Sequence, residues 1–186
     1  SGKTTLLQLC AGLLKPQRGS VKLAGTPVHK LSLAARAALV AYLPQNPKLC
    51  FTQDTVLKEL ENVAARLNIA DGRDAVTDML DRFRLTSVCH RHPYDLSGGE
   101  MQKAALVTLL LGRPRILFVD EPTKGIDPSA KQELATMLTE WNATGMTIVF
   151  ATHDVEFAAQ HAKRTAMLFD GQITACTSSK RFFREN

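Results

Sequence analysis

Four apolar, β-favouring residues, Ile116-Leu117-Phe118-Val119, run without a polar break into two adjacent carboxylates, Asp120-Glu121. A strand with one wet face alternates. An unbroken run belongs in a parallel sheet covered on both faces. Such a sheet needs helices on each side, which predicts an α/β fold. Thr147-Ile148-Val149-Phe150 is a second run of this kind and is expected to be another central strand. Val40-Ala41-Tyr42-Leu43 is read as a buried strand stopped by Pro44, and Ala166-Met167-Leu168-Phe169 as a further strand. Val21-Lys22-Leu23 and Val28 are read as two short strands around Gly25-Thr26-Pro27. After Gly2-Lys3-Thr4, a helical stripe of Leu6, Leu7, Cys10, Leu13 and Leu14 is expected to end at Pro16-Gln17-Arg18-Gly19. Residues 54–85 are helical in pattern, so a single α/β domain over residues 1–186 is expected to carry a helical insertion at roughly 47–111.

The 186 residues suffice for one real core, and 45% hydrophobic with 22% charged residues is ordinary for a globular protein. A formal net charge of +5 suits nucleotides, nucleic acid or an acidic membrane surface, or is simply a solvated basic exterior. Cys10, Cys50, Cys89 and Cys176 form no C-x-x-C pair and do not cluster with histidines, which argues against structural zinc or a disulfide framework. No apolar run approaches the roughly 20 residues needed to span a bilayer. No secretory leader is read, so work at a membrane would require a partner that crosses it.

The chemistry concentrates in three runs. Ser1-Gly2-Lys3-Thr4-Thr5 before an apolar helix has the form of the end of a phosphate-binding loop. Glycine lets backbone N–H groups close on phosphate oxygens, and a helix N-terminus favours anions. There Lys3 would reach the β- and γ-phosphates and the Thr4 hydroxyl would bind Mg²⁺. A capped helix would explain the tripeptide alone. Asp120 and Glu121 stand at the carboxyl edge of a buried strand, where α/β proteins bind ligands. Asp120 suits a Mg²⁺ ligand acting through water, and Glu121 a general base. In Leu96-Ser97-Gly98-Gly99-Glu100-Met101-Gln102, Ser97 and Glu100 make a capping box before a helix reaching about Leu111. That does not explain Gly98 and Gly99, which weaken a first turn but would let phosphate approach the backbone.

In these residues the chain resembles the ATP-binding cassette (ABC) ATPases from end to end. Gly2-Lys3-Thr4 is similar to the end of their Walker A loop, Ile116 to Glu121 to Walker B with its catalytic glutamate, and Leu96 to Gln102 to their signature. Gln45 resembles the Q-loop glutamine, Gly125-Ile126-Asp127 the D-loop, and His153 the switch histidine. The resemblance implies a P-loop core with a predominantly parallel sheet, in which two cassettes pair head to tail around two ATP molecules. Gly2, Lys3, Thr4 and Thr5 would hold ATP; Ser97, Gly98, Gly99 and Asp127 would complete the partner's site. Thr4, Asp120 and Gln45 would serve Mg²⁺. Glu121 would activate water, with His153 and Gln45 assisting. Asp127-Pro128 also reads as the cap and first residue of a helix carrying Leu134, Leu138 and Trp141.

Pro44-Gln45-Asn46-Pro47 and Pro122-Thr123-Lys124-Gly125-Ile126-Asp127 resemble the energy-coupling-factor ATPases, which power import of vitamins or of cobalt and nickel ions. The partners implied are a second cassette (identical, homologous or fused) and a transmembrane coupling subunit gripped by the helical insertion. Nucleic acid is not expected. The place implied is the cytoplasmic face of the membrane. The family's first strands, its adenine-stacking aromatic and the start of its phosphate loop would lie before Ser1. The segment alone is therefore expected to bind and hydrolyse ATP weakly. Two other readings stand beside transport: a soluble ABC-type ATPase of translation or DNA maintenance, and a regulatory cassette that binds ATP without hydrolysis. The interval from Gln45 to Ser97 is too short for the coiled coil of the chromosome type, and the presence of Glu121 and His153 speaks against the regulatory one.

Overall fold

The structure is a computed structural model that describes residues 2–23 and 25–185; Ser1, first in the phosphate-loop run, lies outside them. Helix α1 (Lys3–Cys10) opens the chain, followed by a hairpin of β1 (Lys22–Leu23) and β2 (Thr26–Pro27), then α2 (Leu33–Leu39) and β3 (Val40–Leu43). A 3₁₀ turn at Pro47–Cys50 leads into α3 (Val56–Arg66) and α4 (Gly72–Arg82). Two further 3₁₀ turns, Thr86–Val88 and Pro93–Asp95, precede α5 (Gly98–Leu110). The rest is β4 (Ile116–Asp120), α6 (Pro128–Ala143), β5 (Thr147–Ala151), α7 (Val155–His161), β6 (Arg164–Phe169), β7 (Gln172–Ser178) and α8 (Ser179–Glu185).

The central sheet is parallel and three-stranded, in the order β3-β4-β5. Its middle strand is the apolar run that dictated an α/β fold. Leu117 and Val119 face a large core with Leu43, the Ala104–Val107 segment of α5 and Leu134 of α6. Phe118 turns the other way, into a smaller cluster with Leu7, Ala11, Val28, Val40 and Ala151. Both faces of β4 are thus covered, and its carboxyl end is buried.

The run Thr147–Phe150 behaves differently from expectation. Among the described residues it forms β5, an end strand of this sheet paired with β4, and Val149 is 41% exposed. Ile148 and Phe150 reach the large core, while Thr147 and Val149 are exposed among the described residues.

The first helix is also shorter than its stripe suggests. It ends at Cys10 because Gly12 adopts φ +73, a left-handed stop. Gly12 N–H donates to Leu9 O (3.1 Å) and Leu13 N–H to Gln8 O (2.8 Å), satisfying the last carbonyls. Leu13 and Leu14 lie beyond the helix and are exposed, and of the expected stripe only Leu7 is fully buried.

Between β3 and β4 the described residues carry helices and turns and no strand. Buried Glu59 of α3 pins the chain that leaves β3, accepting hydrogen bonds from the backbone N–H of Thr52 (2.5 Å) and Gln53 (2.9 Å). This helical stretch is tied to α6 at two places. Arg82 pairs with Glu140 (3.1 Å) and covers the Trp141 ring (5.3 Å), which stacks on Phe83; Lys103 pairs with Glu133 (2.7 Å).

Candidate functional site

Backbone geometry at the end of β4 aims the second carboxylate. Asp120 is still in register, opposite Ala151. Glu121 then turns to φ +51, donating its N–H to Ala151 O at 2.7 Å. A non-glycine residue in this region carries strain of about 1–3 kcal/mol and persists only where its surroundings hold it. They do: the buried Glu121 carboxylate accepts the backbone N–H of His153 (3.0 Å) on Oε2. On Oε1 it meets His153 Nε2 (3.1 Å) and Lys3 Nζ (3.6 Å). Lys3 Nζ also lies 3.3 Å from each ring nitrogen of His153. Residues 3, 121 and 153 therefore form one polar cluster at the carboxyl edge of the sheet. Gly2 enters it at φ +80, as the N-cap of α1, and puts Lys3 in that helix's opening turn.

Asp120 is 1% exposed. The Tyr42 hydroxyl of β3 stands 3.4 Å from Oδ2, whereas Oδ1 takes no hydrogen bond from the described residues. Burial, followed by the Asp120 charge, raises the Tyr42 phenol above its ordinary pKa. A buried carboxylate oxygen with no protein partner suits a cation or its bound water. Among the described residues no three His, Cys, Asp or Glu side chains converge as a metal cage. The unpartnered oxygen of buried Asp120 fits a hard ion such as Mg²⁺, which takes a carboxylate or two and completes its shell from phosphate and water. Thr4 is exposed in the first turn of α1, and Gln45 is exposed just beyond β3, leaving the sheet at the same edge as Asp120. Thr5 lies beside Thr4, also exposed.

The signature residues gather elsewhere. Ser97 caps α5 in a closed box: its N–H and hydroxyl donate to Glu100 Oε2 (2.8 and 2.7 Å), and Glu100 N–H donates to Ser97 Oγ (3.3 Å). Those bonds from Ser97 hold the Glu100 carboxyl below its ordinary pKa. Gly98 is packed against Gly125, in the loop before α6, and Gly99 against the start of α6. A Cβ on Gly98 would come within 2.8 Å of Gly125 O, and one on Gly99 within 2.7 Å of Ala130 Cβ. Close approach of two helix ends within the chain is thus a reason for both glycines that phosphate approach alone did not supply. Asp127 caps α6 through Ala130 N–H (3.0 Å), a bond that lowers its pKa. The structure therefore sorts the sequence-derived residues into two groups. Lys3, Glu121 and His153 touch, with Asp120 next to them. Ser97, Gly98, Gly99, Gly125 and Asp127 form a second group, where the start of α5 meets the loop before α6.

A set of residues behind His153 escaped the sequence reading. Lys131 Nζ donates to Asp154 Oδ2 at 2.6 Å, and the other oxygen of Asp154 caps α7 through Phe157 N–H (2.9 Å). Asp154 N–H donates to Thr152 Oγ1 (2.9 Å), which lies 3.4 Å from Oγ1 of buried Thr123. The signal was available in part: a lysine in the opening turns of α6 opposes the helix dipole and calls for an anionic partner.

A protein-family model described as "ABC transporter" matches residues 1–124, well over half of the chain. This chain belongs to the ABC transporter family. A second family model, whose description begins "AAA domain", matches residues 90–159 of this ABC-family chain. Two relatives are described as "Putative ABC transporter ATP-binding protein". One, from Bacillus thuringiensis subsp. konkukian, is 42% identical over 186 residues, covering 100% of this chain and 34% of that protein. The other, from Pyrococcus horikoshii, is 34% identical over 187 residues, covering 98% of this chain and 71% of that protein. The chain spans about a third of the length of the first curated relatives it matches. Among solved structures, cbiO1 of Clostridium perfringens, part of the ABC transporter complex cbiONQ, superposes with a TM-score of 0.86 at 26% identity, over 99% of this chain and 75% of that one. An ATP-binding subunit of an ABC transporter gives 0.83 at 26% identity, over 99% and 77%. The fold is thus that of the ABC ATPase cassettes, an α/β P-loop core.

Proposed function

We propose that the chain is the ATP-hydrolysing motor of a transporter, in which Glu121 is the general base. The observation that carries this reading is the seating of the Glu121 carboxylate, strained in backbone and held by His153 and Lys3 at the edge of β4. Gly2, Lys3, Thr4 and Thr5 bind the phosphates of ATP: backbone N–H groups at the start of α1 face the anion, and Lys3 supplies a full positive charge. Glu121 takes a proton from the attacking water, and His153, 3.1 Å from it, orients the carboxylate and meets the terminal phosphate. Thr4, Asp120 and Gln45 are the residues that would hold Mg²⁺, which supplies charge neutralisation along the phosphates.

The second group, with Ser97, Gly98, Gly99 and Asp127, serves a second cassette, head to tail, so that each ATP is enclosed by both. The helical stretch at about 47–111 is the subdomain that grips a transmembrane coupling subunit, with the cassette peripheral at the cytoplasmic face of the membrane. Among the described residues no helix is long and apolar enough to cross a membrane. The likeness to cbiO1 supports the energy-coupling subgroup and import of a vitamin or a transition-metal ion.

The test is ATP binding and turnover by the full-length protein with Mg²⁺. Wild type is expected to hydrolyse ATP, and Lys3→Ala to lose both nucleotide affinity and turnover. Turnover that survives unchanged in Lys3→Ala would remove the phosphate loop, and with it this reading.

A further inference from the structure

We propose that Lys131 is a positioning residue for hydrolysis: through its ion pair with Asp154 it fixes the backbone N–H of His153, and so the carboxylate of Glu121. The inference rests on the ATPase reading above and deepens it. His153 approaches Glu121 with two atoms, and the one that donates a hydrogen bond is its main-chain N–H, 3.0 Å from Oε2. That N–H is only as well placed as the 152–154 segment. Asp154 anchors the segment on both sides, with Oδ1 on Phe157 N–H of α7 and Oδ2 on Lys131 of α6. A side chain on α6 thereby sets an atom that touches the base.

The position of Lys131 gives the contact a second consequence. Its N–H donates to Asp127 O (3.0 Å), so it sits one turn after the D-loop. Its neighbour Ala130 is the residue against which Gly99 is packed, and Gly125 O is the atom closest to a Cβ on Gly98. The opening of α6 thus touches the signature residues on one side and the 152–154 segment on the other.

Three variants of the full-length protein decide it. Lys131→Met keeps length and removes charge; Lys131→Arg keeps the charge. Asp154→Asn keeps the acceptor that caps α7, since asparagine caps as well as aspartate, but loses the ion pair. Lys131→Met and Asp154→Asn are each expected to lower kcat about 10- to 100-fold, the scale of a slightly misplaced reacting group, with KM for ATP within about two-fold. Lys131→Arg is expected to recover at least half of the wild-type kcat. Amide hydrogen exchange across residues 152–155, read without nucleotide, is expected to quicken in Lys131→Met and not in Lys131→Arg. Combining Lys131→Met with Asp154→Asn should cost no more than either alone. Wild-type kcat in Lys131→Met, or faster exchange with kcat unchanged, overturns this inference alone. A wild-type protein that does not turn over ATP overturns the ATPase reading and this inference with it.

Discussion

Gly99 shows how narrowly single residues are specified. Its missing Cβ leaves room for Ala130 Cβ, and Ala there would create a contact of 2.7 Å. Gly99→Ala is expected to destabilise by about 1–3 kcal/mol, the range for overpacking. Ala130→Gly alone costs about 1 kcal/mol in helix propensity. If the clash is the cause, the double variant is more stable than Gly99→Ala, and thermal or denaturant melting reads this directly. Asp154 offers a second test with a pH sign. Its carboxyl lies below its ordinary value of 3.8, chiefly because Lys131 donates to it, then because Phe157 N–H does. A depressed carboxylate contributes stability that is complete above its unfolded pKa and is lost as pH falls through the folded one. Asp154→Asn should therefore melt below wild type at pH 7, and the gap should close as pH drops below about 4. A gap independent of pH would mean that the ion pair is not its source.

Among the elements, the join between α6 and the helical stretch rests on exposed groups. Arg82 pairs with Glu140 while covering Trp141, the only tryptophan of the chain. An exposed ion pair contributes at most about 1 kcal/mol and a cation–π contact about as much. Arg82→Ala is expected to cost about 1–2 kcal/mol, with a change in Trp141 emission. Strands β3 and β4 were legible because an unbroken apolar run has few places to go. The run that forms β5 was read as a central strand, and among the described residues it is an end strand with Val149 exposed. The end of α1 was marked by Gly12, yet the leucine stripe ran past it and pointed further on. Strand β7 was missed although Asp170-Gly171, both at positive φ, announce a two-residue hairpin turn. The capping box of α5 was readable outright, being a local matter of Ser97 and Glu100. Lys131 and Asp154 were not, since residues 23 apart meet only once α6 is laid beside β5.

For the whole molecule, the separation of site residues into two groups carries the functional argument. Lys3, Glu121 and His153 close on one another within the chain, while the group from Ser97 to Asp127 lies where the start of α5 meets the loop before α6. Sequence order named most members of both groups; it could not say which of them touch, because contact depends on the packing of the two helices against the sheet. The central claim is that Glu121 is the base that breaks ATP. The most direct measurement is to load the full-length Glu121→Gln protein with ATP and Mg²⁺, isolate it, and identify the retained nucleotide. The account expects bound ATP, with hydrolysis slowed at least about 100-fold against wild type. Bound ADP formed at the wild-type rate would contradict it.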